Sequence, residues 1–434
     1  MKRKIILLAI LLAAFLPLKA QTAATSAVNP PRSDEAELRR QSFEKVWNTI
    51  NEKHYDKTLG GVDWKKMREI YEPQATAAKT LNEFHAVLRR MLGELKLSHF
   101  GIFPKTSTDA ATSQAIAGTT GIEIKMIDGK AVISRLEKDS TAEKAGLKAG
   151  FVIRKIDGKP VEELLAPLEK TISERTENER LKLIYRERTL AFYLDGKAET
   201  AAQIEALDAK NQIRVFAVRR AVALKTEMSE AVGNFPPQQV IFEARRLDGD
   251  IGYIRFNIWV IPQMPKIRQA IRGFESAKGI IFDLRGNPGG IGGMAPGVAG
   301  LLMSEQASLG SMTSRETEQK FIVYPQSNPF SGKIIILTDY GSGSTSEIFA
   351  AGMQDIGRAR VVGERSTGAV LPSVFDTLPT GAIFQYVISD YKSPKNVLIE
   401  GRGVVPDTEI KQTRESLLEG RDIQLETAIK QILD

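Results

Sequence analysis

The sequence predicts an α/β protein, α+β overall, in which a helical N-terminal segment and a small β-domain precede a larger α/β core. Three observations carry that prediction. Apolar residues recur at helical spacing between Glu35 and Leu97, short alternating strands lie between glycine turns from Gly118, and strands alternate with amphipathic helices from about Thr226. Alternation of the last kind builds a mostly parallel sheet.

Composition narrows the chemistry. The chain has 434 residues, 42% hydrophobic and 26% charged, which suits two or three globular domains. Its net charge of +7 falls to +3 without Lys2, Arg3, Lys4 and Lys19, so no basic nucleic-acid surface is indicated. Cysteine is absent, which excludes disulfides, thiolate zinc sites and a cysteine nucleophile. No metal or organic cofactor is implied. Histidine occurs only at His54, His85 and His99.

The basic start, the apolar run from Ile5 to Leu16, Pro17 and the small Ala20 read as a signal peptide over 1–20. The expectation is export, to a periplasmic or secreted location, with no membrane span once the signal is removed. Residues 21–32, small, polar and proline-containing, form a linker.

Residues 33–105 make the helical segment. Phe43, Val46, Trp47 and Ile50 fall on one face, and Leu81, Phe84, Val87, Leu88 and Leu92 on another. It ends in "KLSHFGIFP", where helix gives way to strand at His99. Residues 113–225 form the β-domain, with a short helix in "STAEKAGL" that opens on a serine cap and closes on Gly146. In the core, 226–434, "DIGYIRFNIW" and "AKGIIFDLRGNPGG" are strands, the second running into a glycine loop. "MPKIRQAIRGFE" is an amphipathic helix, and "GKIIILTDYGSGSTSEIFAAGMQDIG" is strand, turn and helix. Loops at the carboxyl ends of such strands gather ligands, so both glycine loops are expected at one crevice.

Ser344 admits two readings. With Glu347 it forms Ser-x-x-Glu, a capping box for the helix that follows. It also stands at a small-residue strand-to-helix turn, where a hydroxyl is exposed beside a helix N-terminus that favours negative charge.

Two resemblances bear on that choice. "DSTAEKAGLKAGFVIRKIDGKPV" resembles a PDZ domain, which implies that an extended peptide adds to a strand edge, with Gly121, Ile122 and Glu123 as the carboxylate loop. "GIIFDLRGNPGG", "SGSTSEIFAAGMQDIGRARVVGE" and "IEGRGVVPD", in this order after the PDZ-like unit, resemble the C-terminal processing, or tail-specific, proteases and the related tricorn core protease. That resemblance implies a core of the ClpP/crotonase-like type, Ser344 as nucleophile, and an oxyanion hole from Gly289 or Gly290 together with Thr345. Ser-Lys members place a lysine base where this chain has Ala369, and a glutamine where it has Ser373. The tricorn-like branch instead implies His99 as base, beside Ser98, and Glu400 as the carboxylate that orients it.

The expectation is an exported serine endopeptidase that acts through an acyl-enzyme on peptides or proteins, bound by their C-termini, with no nucleic-acid partner. Whether copies assemble into a homo-oligomer is left open. The alternative is a catalytically inactive PDZ-containing peptide-binding protein, which the missing lysine brings into view.

Overall fold

The computed structural model describes residues 9–10, 33–103, 117–222, 227–233 and 235–434. The expected signal peptide, apart from Ala9–Ile10, and the linker 21–32 lie outside them. Ala9–Ile10 pairs antiparallel with Gly290–Ile291.

The helical pattern resolves into three helices, Ser33–Lys53, Trp64–Ala77 and Leu81–Gly93. Side chains cap two of them: Asp63 accepts the Lys66 N–H at 3.0 Å, and Thr80 accepts the Glu83 N–H at 3.1 Å. Phe43, Val46, Ile50, Phe84, Leu88 and Leu92 are buried in one cluster with Leu378, Ala382 and Phe384 of the core. The segment is therefore sealed by the core and shares its packing. Its last strand, Gly101–Phe103, joins a hairpin of the core, pairing antiparallel with Ile383–Val387. His99 is thereby fixed between a helix packed on the core and a strand paired to it.

The PDZ-like unit is an antiparallel sheet in the order Ile213–Arg219, Ala201–Leu207, Val152–Ile156, Lys130–Leu136, Ile122–Ile127. Ser140 caps the short Thr141–Lys144 helix through the Glu143 N–H, and Gly146 ends it at φ +90°. Two longer helices, Val161–Arg175 and Glu179–Leu194, complete this unit. The second lies against the edge strand Ile122–Ile127, where Glu187 Oε1 accepts the Met126 N–H at 2.8 Å.

The core is a six-stranded sheet ordered Phe242–Leu247, Ile251–Phe256, Gly279–Asp283, Lys333–Thr338, Arg360–Gly363, Thr408–Glu409. The first pair is antiparallel and the rest parallel. Both faces are covered, as the unbroken apolar runs of parallel strands require. Ile280, Phe282, Ile334 and Ile336 pack on the face that holds the Gln263–Gly273 and Thr345–Asp355 helices, while Ile281, Ile335 and Leu337 pack against the Ile423–Leu433 helix. Each fully buried side chain of this kind contributes about 1.5–3 kcal/mol. Because Asp283 and Leu337 are register partners, the loops leaving those two strands emerge side by side.

Among the described residues no helix is long and apolar enough to cross a membrane, and no group of three or more His, Cys, Asp or Glu is arranged to hold a metal ion.

Candidate active site

Ser344 heads the Thr345–Asp355 helix at φ 55° and ψ −118°, a conformation that costs a residue with a side chain about 1–3 kcal/mol. Its surroundings hold it there. The Ser344 N–H donates to Ala369 O at 2.8 Å and to Glu347 Oε2 at 2.9 Å. Glu347 also accepts from Gly368 N–H at 2.7 Å, Ala369 N–H at 3.0 Å and the Ser366 hydroxyl. Burial pushes the Glu347 carboxyl up, and these hydrogen bonds oppose the rise. Only the glutamate half of the capping box is made, and it holds the serine backbone, because Ser344 Oγ is buried without a hydrogen-bond partner. Its neighbours are committed to the frame: Ser342 Oγ donates to Leu284 O at 2.8 Å, and Ser346 Oγ accepts from Trp259 Nε1 at 2.9 Å and donates to Asn287 O at 3.1 Å.

His99 lies in a second strained position, φ 62°, and is buried. Its Nδ1 is 2.6 Å from Ser98 Oγ, and its Nε2 has no partner. Glu400 accepts the Ser98 N–H at 2.9 Å, the Ser98 hydroxyl at 3.1 Å and the Val370 N–H at 2.9 Å. Glu400 thus meets Ser98, and Ser98 meets His99. Burial pushes the imidazole down to about 3 and the Glu400 carboxyl up to about 7. A cavity of about 80 Å³ opens beside Ser98 and His99, against Leu181 and Tyr185.

The glycine loop closes over the serine. Gly289, at φ +100°, comes so near that a Cβ there would sit 2.5 Å from Ser344 Cβ and 2.8 Å from Thr345 N. Only glycine permits that approach. The Gly289 N–H is already taken by Asn287 Oδ1 at 3.0 Å. Asn287, buried, also donates through Nδ2 to Phe256 O, so it clamps the loop to the sheet. Gly290, at φ +141°, carries the neighbouring amide, in the two-residue strand that pairs with Ala9–Ile10 and bridges to Trp259.

Ala369 is fully buried against Leu181, Ile184 and Tyr340. That packing leaves no room for the lysine that the resemblance to Ser-Lys members would place there. Ser373 lies in the Ser373–Thr377 strand and accepts from Gln385 Nε2 at 2.9 Å. His85 is buried without a partner at either ring nitrogen, and His54 stacks on Phe100 with its Nδ1 in a local turn.

In the PDZ-like unit, the Gly121 N–H donates to Thr119 Oγ1 at 3.1 Å, while Ile122 and Glu123 enter the sheet opposite Leu136 and Arg135. A contact that motif reading missed joins this unit to the serine turn. Lys125 lies 2.7 Å from Asp339, which accepts the Gly286 and Gly341 N–H groups at 2.8 Å each. Burial alone would raise the Asp339 carboxyl, but the Lys125 ammonium holds it below its ordinary value. Lysine in an alternating strand looks like an exposed face, so the sequence carries no signal for this pair.

Residues 250–410 match the Peptidase family S41 model, and residues 35–93 match the Tricorn protease C1 domain. The carboxyl-terminal-processing protease of Synechocystis sp. is 23% identical over 392 residues, covering 88% of this chain and 82% of that protein. Among solved structures, the photosystem II D1 C-terminal processing protease superposes with a TM-score of 0.58 at 21% identity, covering 93% of this chain and 98% of its own. Mature CPAF superposes with a TM-score of 0.63 at 15% identity, covering 92% and 98%. The class is that of a serine peptidase, a hydrolase of peptide or protein substrates. The chain carries a family S41 peptidase domain joined to a tricorn C1 domain, and it resembles the carboxyl-terminal processing proteases.

Proposed function

We propose that the protein is an exported endopeptidase in which Ser344 is the nucleophile, His99 the general base and Glu400, acting through Ser98, the group that orients the base and steadies its charged form. One observation supports this above the rest. Ser344 N–H bonds Ala369 O, the adjoining Val370 N–H bonds Glu400, and Glu400 bonds Ser98 next to His99, so one continuous network holds the three. Within it, two reactive atoms, Ser344 Oγ and His99 Nε2, are left without partners.

Ser344 Oγ attacks the scissile carbonyl carbon as its proton passes to His99 Nε2. The oxyanion forms at the head of the helix, before the Thr345 N–H, with the Gly290 N–H as second donor because that of Gly289 is occupied. Collapse breaks the C–N bond, the imidazolium protonates the leaving amine, and water repeats the sequence on the acyl ester. Ser344 Oγ and His99 Nε2 are not hydrogen-bonded here, so substrate binding has to draw them together.

The PDZ-like unit recruits substrate tails along the start of its edge strand Ile122–Ile127, between the Gly121–Glu123 turn and the Met126 N–H that Glu187 occupies. Division of the chain at 33–105, 113–225 and 226–434 assigns base, tail binding and nucleophile to successive units. Export is supported by the basic and apolar start of the chain. The test is turnover of free-acid peptides by the chain from residue 21 onward. Cleavage should vanish in Ser344→Ala with the fold kept; cleavage that persists there contradicts the proposal, and an inert wild type favours the peptide-binding alternative.

A further inference from the structure

The Glu179–Leu194 helix has three differently occupied faces. Leu190 and Leu194 enter the core of the PDZ-like unit, and Arg186 pairs with Glu169 of the preceding helix at 2.7 Å. Leu181 and Ile184 pack on Tyr340 and Ala369 beside the serine turn, while Leu181 and Tyr185 line the cavity at Ser98 and His99. Arg188 follows Ile184 by four residues and Tyr185 by three, which puts it one turn along on that third face.

Arg188 Nη1 is buried and has no hydrogen-bond partner. Burial pushes the guanidinium pKa down, opposed by Tyr185 and Glu187. Glu187 is committed elsewhere: Oε1 accepts the Met126 N–H and the Tyr340 hydroxyl, and Oε2 faces Lys125 at 3.8 Å. Arg188 is half-buried, with only Nη1 sealed from solvent, and a buried donor with an unmade hydrogen bond weakens a fold where an apolar side chain of similar size would not. Nor is the expected carboxylate loop fully open, since the Gly121 N–H is taken by Thr119 and the Glu123 carboxylate already occupies Arg135 and Arg255.

The geometry points to Arg188, on the helix face that carries Leu181, Ile184 and Tyr185, as the counter-ion for a carboxylate of the bound peptide. This rests on the reading of the protein as a peptidase that acts on peptide tails. Two sources supply that chemistry, the peptide's C-terminus and an acidic side chain near it, and a planar guanidinium suits either as a two-pronged donor.

Binding, measured in the Ser344→Ala background on the chain from residue 21 onward, tests the assignment without turnover. Three fluorescent peptides of one apolar sequence are compared by anisotropy: a free acid, its C-terminal amide, and an amide with glutamate two residues from the end. Arg188→Met should weaken the free acid at least tenfold, leave the plain amide unchanged, and keep or raise the thermal midpoint. Arg188→Lys should recover part of the loss. Dependence confined to the free acid assigns the terminal carboxylate, whereas dependence shared with the glutamate peptide assigns a side chain as well. Equal affinities in both proteins overturn the assignment, as does an equal loss for all three peptides with a lowered thermal midpoint, which marks a structural arginine. Failure of wild type to cleave any peptide counts against the peptidase reading and leaves these affinities interpretable.

Discussion

Glu400 reaches His99 only through Ser98, whose hydroxyl lies 3.1 Å from Glu400 Oε2 and 2.6 Å from His99 Nδ1. A hydroxyl that donates to the carboxylate has its lone pairs left for Nδ1–H. That direction leaves Nε2 unprotonated, the form a base needs. In the proposed mechanism Ser98 sets the tautomer that a direct carboxylate contact sets in a Ser-His-Asp triad.

Ser98→Ala should lower kcat by about 10- to 1,000-fold with little change in KM, since it removes orientation of the base and no contact to substrate. Ser98→Thr should recover most of the loss. Steady-state kinetics of the two variants decide it, and an unchanged kcat in Ser98→Ala removes the relay.

The pH profile follows from burial. An unperturbed imidazole would place the acid limb near pH 6–7, but His99 is pushed down to about 3 and is already neutral there, while Glu400 titrates at about 7. Lowering the pH through 7 protonates Glu400 and removes the charge that steadies the imidazolium, so kcat/KM should fall below pH 7 and level above it. In Glu400→Gln the remaining activity should lose that limb. A limb that stays near pH 7 in the variant belongs to another group.

Gly289→Ala should abolish most activity, at least about 100-fold, because its Cβ would displace Ser344 or the Thr345 amide from their 2.5 and 2.8 Å approaches. The overpacking should cost about 1–3 kcal/mol in a denaturant melt. Normal kinetics in this variant would show that the glycine loop does not close over the serine.

Ala369→Lys should not restore a Ser-Lys site. The position is walled by Leu181, Ile184 and Tyr340, so an ammonium there is buried without a partner and should destabilise the fold by at least about 3 kcal/mol. A variant as stable and more active than the parent would contradict the packing argument.

Much of the architecture was legible because it is locally encoded. The strand in "DIGYIRFNIW" appears as Ile251–Phe256, the helix in "MPKIRQAIRGFE" as Gln263–Gly273, and the Ser-x-x-Glu turn marked the helix head at Ser344. His99 and Glu400 came from a resemblance, and local pattern alone would have left both as ordinary polar residues. What stayed hidden depends on distant partners. Ser98 and Glu400 are 302 residues apart, so no window of sequence reveals that a hydroxyl stands between carboxylate and imidazole. The pairing of Lys125 with Asp339 and the unpartnered Nη1 of Arg188 are hidden for the same reason: each side chain reads as a solvated charge until tertiary packing shields it.

The most direct measurement is labelling with a fluorophosphonate, which phosphonylates a serine only where a base and an oxyanion site attend it. With the chain from residue 21 onward, peptide mapping by mass spectrometry should find one adduct, on Ser344, absent in Ser344→Ala and formed several orders of magnitude more slowly in His99→Gln. An adduct on another residue, or labelling that survives Ser344→Ala, would contradict the assignment of the nucleophile, and an undiminished rate in His99→Gln would contradict that of the base.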